Sequence, residues 1–143
     1  MGRELTDDLP VDTREGSCIA VLATDAPLSA RQCTRLAKRC ALGLAATGSY
    51  ASDGSGEIMV AFSTATRVPR VSAEPLALIT VTNDQMSGLF EAAVDATAES
   101  VCNSLTAATT TVGRDGNVAC QLPLHGLVEA LRRAGRPARL PES

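Results

Sequence analysis

The chain has 143 residues, enough for one compact domain with a real core and too few for two ordinary ones. Apolar residues make up 45% of it but aromatics only 2%, so the core has to be assembled from Ala, Val, Leu and Ile, whose small side chains let layers pack closely. A formal charge of −3 and a pI near 5.1 lack the basic footprint of a nucleic-acid binder. With no secretory leader pattern and no apolar run of about 20 residues, the expectation is a cytoplasmic protein that does not span a membrane.

Residues 1–16 are polar and acidic, without periodicity, and read as an exposed connector. The run Cys18-Ile19-Ala20-Val21-Leu22-Ala23 is short and continuously apolar, as a strand buried on both faces would be, and Asp25-Ala26-Pro27 stops it. Ser29 and Gln32 then form a capping box. The helix it starts carries Cys33, Leu36, Ala37, Cys40 and Leu44 on one stripe and Arg31, Arg35, Lys38 and Arg39 on the opposite, solvated side, with Gly48 as its stop. Leu42 alone breaks that division.

A polar turn from Ser49 to Gly56 leads into a second strand, Glu57 to Phe62, and after a loop containing Pro69 and Arg70 the run Leu76 to Val81 reads as a third. Asn83 or Asp84 caps a long helix through about Ala108, with Leu89, Phe90, Ala93, Val94, Val101 and Leu105 expected to face inward. Glu91, Asp95 and Glu99 recur on its outer face and read as solvated surface. Gly113 to Gly116 is a turn, and Pro123 opens a last short helix through Leu131 that stops at Gly135. Strands interleaved with long helices predict an α/β layered sandwich, and a sheet of so few strands points to missing partners.

The five cysteines, Cys18, Cys33, Cys40, Cys102 and Cys120, are odd in number and contain no C-x-x-C pair, and His125 is the one histidine. No disulfide framework, metal site or cofactor is expected; the thiols read as buried and reduced, and His125 as a surface or capping residue.

Two short segments could carry chemistry. Gly16-Ser17 stands just before the first strand, and is either a routine turn or a place where a broken bond would leave a serine as a new N-terminus. In the second case the hydroxyl acquires an α-amine beside it, a base with an ordinary pKa of roughly 7.7–8.0 that needs no histidine. Gly54-Ser55-Gly56-Glu57 is either a plain glycine-rich turn or a hydroxyl–carboxylate pair, since residues two apart on a strand share a face.

Several ordered motifs bear on these readings. Gly16-Ser17, Ala23 to Leu28, Leu36 to Arg39, Ala41 to Ala45, Gly48-Ser49, Gly54 to Ile58, Ala61 to Ala65, Asn103 to Ala108, Gly113 to Gly116 and Leu131 to Arg136 together resemble the L-aminopeptidase/D-amino-acid esterase family, which includes the β-peptidyl aminopeptidases. The resemblance runs from Gly16 nearly to the end. It implies a precursor that cuts itself before a serine or threonine, and a large and a small subunit that together form a four-layer αββα sandwich.

By position, Ser17 is then the nucleophile, the cleavage site lies between Gly16 and Ser17, and Ser55 and Glu57 are the supporting catalytic pair. The resemblance further implies a hydrolase acting on N-terminal residues of short peptides, amides or esters, a large-subunit partner and an oligomeric assembly. Residues 17–143 correspond to one small-subunit domain, and residues 1–16 to the tail of the larger part. The donors that would stabilise an oxyanion cannot be assigned from this sequence. Two alternatives stay open: an acyltransferase of the ornithine acetyltransferase kind, which usually presents threonine where Ser17 stands, and a non-catalytic remnant serving as an interaction module.

Overall fold

The computed structural model describes residues 16–137, which fall into two compact units, one ending at Val101 and the other beginning at Cys102. Of the expected connector, all but Gly16 lies outside the described residues.

The first unit is built on a β–α–β element. Strand β1 (Cys18–Thr24) and strand β2 (Glu57–Ser63) pair in parallel, with Cys18 opposite Glu57 and Thr24 opposite Ser63. Helix α1 (Ala30–Ala46) connects them and starts on the predicted box: Gln32 N–H donates to Ser29 Oγ at 3.3 Å, and Ser29 N–H to Gln32 Oε1 at 2.9 Å. Its last turn ends at Thr47, followed by Gly48 with φ +108°, a conformation that glycine adopts without a Cβ penalty. The predicted stripe is the buried one: Cys33, Leu36, Ala37, Cys40 and Leu44 all lie inward.

Helix α2 (Met86–Ala107) follows a single 3-10 turn over Asn83–Gln85. Its entry is held by Thr82 rather than by Asn83 or Asp84: Thr82 N–H donates to Gln85 Oε1 at 3.0 Å, while Asn83 Oδ1 is taken up by Arg35 Nη1 at 2.8 Å. Leu28, Cys33, Leu36, Met86 and Ala93 form the core, with Leu22, Ala61, Leu89 and Phe90 packed around it. Leu105, expected inward, is exposed, because the helix buries only Met86, Ala93 and Thr97. The two helices approach closely at Gly43, where a Cβ would fall 2.5 Å from Val94 O and 2.6 Å from Thr97 Cβ.

The basic face of α1 is only partly solvated. Arg35 and Arg39 stack over the Phe90 ring, 5.2 and 4.0 Å from its centroid, so their charge sits on an aromatic face while Arg31 and Lys38 meet water.

The run Leu76 to Val81 is not a strand. It has the side chains of one, but strand propensity stands for fit against cross-strand neighbours, and no described strand pairs with it. Only its end is tied: Val81 N–H donates to Pro27 O at 3.0 Å, and buried Gln32 Nε2 donates to Val81 O at 2.7 Å. Leu76, Leu78 and Ile79 remain exposed.

In the second unit the predicted turn closes a hairpin the sequence did not announce, β3 (Thr111–Val112) against β4 (Val118–Ala119), followed by α3 (Leu124–Arg133). The five cysteines are free and not uniformly buried, against the expectation of buried thiols: Cys33 and Cys40 are buried, Cys18 is half-buried, and Cys102 and Cys120 are exposed. Glu91, Asp95, Glu99 and His125 are exposed, matching their surface reading. No helix among the described residues is long and apolar enough to cross a membrane.

Candidate active site

Because β1 and β2 are parallel and begin in register at Cys18 and Glu57, the residues just before them meet at one end of the sheet. Gly16-Ser17 and Ser55-Gly56 are thereby brought side by side across 39 residues of sequence. Cys18 N–H donates to Gly56 O at 3.0 Å, which extends the ladder by one step and fixes this junction.

Alternation along the strands then sorts the side chains. Ser55 and Glu57 lie two apart and come together: Ser55 Oγ is 2.5 Å from Glu57 Oε1. The same Oγ stands 2.7 Å from the carbonyl oxygen of Gly16. A hydroxyl has one proton, so Ser55 donates to one of these acceptors at a time and bridges the carboxylate to the Gly16 carbonyl.

In the uncut chain Ser17 and Ser55 do not touch through their hydroxyls. Ser17 Oγ accepts from the Gly56 backbone N–H at 3.3 Å, while Ser55 reaches the residue before it. The predicted trio Ser17, Ser55 and Glu57 is therefore gathered at one place, together with two features the sequence did not yield: the Gly56 amide on the nucleophile candidate, and the Ser55 hydroxyl on the Gly16 carbonyl. Both depend on strand register, which short motifs do not state. Ser17 and Gly16 are exposed, and Ser55 and Glu57 half-buried, so the junction is open to an incoming molecule. Among the described residues no group of His, Cys, Asp and Glu is placed to hold a metal ion.

Such an arrangement is suited to acyl chemistry. A donor on a carbonyl oxygen stabilises the negative charge that builds there when a nucleophile attacks, and loss of one such donor typically costs about 100- to 1,000-fold in rate.

Comparison with known proteins defines the class: the pattern of peptidase family S58 matches residues 1–119, and the chain belongs to that family. It is 43% identical over 123 residues to the beta-peptidyl aminopeptidase BapA of Sphingosinicella microcystinivorans, covering 83% of this chain and 31% of that protein. Among solved structures it is similar to the PH0078 protein of Pyrococcus horikoshii OT3, with 45% identity and a TM-score of 0.78 over 83% of this chain and 34% of that one. It is also similar to the L-aminopeptidase D-Ala-esterase/amidase of Ochrobactrum anthropi, described as a prototype for the serine aminopeptidases and a new variant among the Ntn hydrolase fold. Here identity is 37% and the TM-score 0.75, over 84% of this chain and 34% of that one. The fold is thus α/β of the Ntn hydrolase type, and the chain spans about a third of the length of these relatives.

Proposed function

We propose that this chain is the nucleophile-bearing part of a serine aminopeptidase that activates itself by cleavage between Gly16 and Ser17, and that it works with a large subunit. The observation that carries this reading is the pair of groups converging on that junction, the Ser55 hydroxyl within donor reach of the Gly16 carbonyl oxygen and the Gly56 N–H on Ser17 Oγ.

In self-cleavage the Ser17 hydroxyl oxygen bonds to the Gly16 carbonyl carbon, with charge on the carbonyl oxygen stabilised by Ser55. The bond from that carbon to the Ser17 nitrogen breaks, and the hydroxyl proton ends on the nitrogen, leaving an ester and a free amine. Water hydrolyses the ester, releasing a Gly16 carboxylate and restoring the Ser17 hydroxyl. The new α-amine then serves as base in turnover: it takes the Ser17 proton as the hydroxyl attacks a substrate carbonyl and returns it to the departing amine or alcohol, and water clears the acyl-enzyme. Glu57 holds Ser55, and the pair positions the amine once Gly16 has left. The substrates on this reading are short peptides, amides or esters with a free N-terminal residue.

The partner reading rests on the sheet. Ile19, Val21, Ile58, Val60 and Phe62 lie on one face of β1 and β2 and are all substantially exposed, although parallel sheets are ordinarily covered on both faces. By alternation Ser17 belongs to this same face. A second sheet supplied by the large subunit would cover it, complete the four-layer sandwich and wall the substrate pocket beside Ser17. Residues 17–143 act on this reading as one small-subunit domain, in an oligomeric cytoplasmic enzyme.

The test is Ser17→Ala in the complex with the large subunit. Both self-cleavage and release of p-nitroaniline from an aminoacyl p-nitroanilide are expected to vanish; turnover at the parent rate would refute the assignment.

A further inference from the structure

Gly56 is a glycine whose presence neither backbone nor packing explains. It is not among the positive-φ residues, which include Gly48, Gly116 and Gly135, so a left-handed backbone is not what calls for glycine there. Among the described residues a Cβ built on it meets only Ser17 within 4 Å, at 3.4 Å from Oγ and 4.0 Å from Cβ, so no described core residue forbids a side chain. That contrasts with Gly43, where the facing helix would have to move.

The space next to Gly56 is nevertheless special, because it borders the Ser17 hydroxyl. The Gly56 N–H on Ser17 Oγ and the Cys18 N–H on Gly56 O lock the two residues together, so the gap keeps its place relative to the oxygen. For acyl transfer the attacked carbonyl carbon has to come within about 3–3.5 Å of the nucleophile. A methyl group on residue 56 would itself stand 3.4 Å from that oxygen, inside the shell the acyl group must enter.

We propose that Gly56 is a specificity-determining residue: the side chain it lacks leaves open the flank of Ser17 that receives acyl groups carrying a side chain of their own. This rests on the reading of Ser17 as the nucleophile. Self-cleavage presents Gly16, an acyl group with no side chain, and so makes the least demand on the gap. Substrates with substituted acyl groups make the greatest.

The experiment compares Gly56→Ala with the parent in the complex with the large subunit, using paired p-nitroanilides: glycyl against leucyl, and β-alanyl against β-homoleucyl. The Cβ falls at ordinary contact distance, so the variant is expected to fold, and circular dichroism with intact-mass detection of self-cleavage checks this. Within whichever series the enzyme accepts, kcat/KM for the substituted member should fall about 10-fold or more relative to the unsubstituted one, the size of effect a single methylene has in a shaped pocket. Self-cleavage should be slowed less than turnover of the substituted substrate. An equal loss on both members of a pair, no loss on either, or a folded variant that fails to cleave itself would overturn the proposal. Ser17→Ala run alongside separates the two claims: an inactive Ser17→Ala with an unselective Gly56→Ala sinks only the role of Gly56, whereas an active Ser17→Ala sinks the nucleophile reading as well.

Discussion

Ser55 joins Glu57 to the peptide bond that precedes Ser17: its Oγ lies 2.5 Å from Glu57 Oε1 and 2.7 Å from the Gly16 carbonyl oxygen. Ser55→Ala removes the donor from that carbonyl and leaves the ladder bonds of the junction in place. Self-cleavage of the precursor is expected to slow by about 100-fold or more, read as the half-time for appearance of the cut product by intact mass. Cleavage at the parent rate would remove Ser55 from the reaction.

Glu57→Gln keeps the shape of the side chain but changes what it offers Ser55. In the assembled enzyme, turnover should drop by about 100-fold or more, the usual scale for a positioned acid–base group, with folding preserved. A drop below about threefold would return Glu57 to the status of a half-buried surface carboxylate.

Gly43→Ala tests the packing of α1 on α2. Helix propensity alone favours alanine by about 0.8–1 kcal/mol. Overlap with Val94 O and Thr97 Cβ at 2.5 and 2.6 Å opposes it, and the structure predicts that overlap wins, with a net loss of about 1–3 kcal/mol in denaturant unfolding of the assembled protein. A stabilised variant would show that the helices part without cost.

The bare sheet face makes its own prediction. Residues 1–143 alone should self-associate and show no aminopeptidase activity, and Val60→Lys should shift the isolated chain toward monomer in size-exclusion chromatography with light scattering. The same variant should fail to assemble with the large subunit. Robust activity from a monomeric preparation of this chain alone would contradict the partner reading.

How much of this was legible in the sequence followed the range of the interactions involved. Strands β1 and β2 and the Ser29–Gln32 box are written in contiguous residues, and the structure places them within a residue of expectation. Leu76 to Val81 has the composition of a strand, but pairing requires a neighbour, and the Thr82–Gln85 contact is hidden in the sequence because Asn83 and Asp84 are the stronger capping residues by type. At the site, residue types alone left Gly16-Ser17 and Gly54 to Glu57 open between turns and chemistry, and it was the family resemblance that singled out Ser17, Ser55 and Glu57. Which atoms touch could not be read, since the Ser55 contact with Gly16 and the Gly56 contact with Ser17 follow from the register of Cys18 against Glu57.

The central claim is that Ser17 becomes an N-terminal nucleophile, and the most direct measurement is the intact mass and N-terminal sequence of the product formed when this chain is expressed behind the large subunit. The account predicts a fragment beginning Ser17-Cys18-Ile19 in the parent and an uncut precursor in Ser17→Ala. A parent protein that remains whole while hydrolysing aminoacyl p-nitroanilides, or that is cut at another bond, would contradict it.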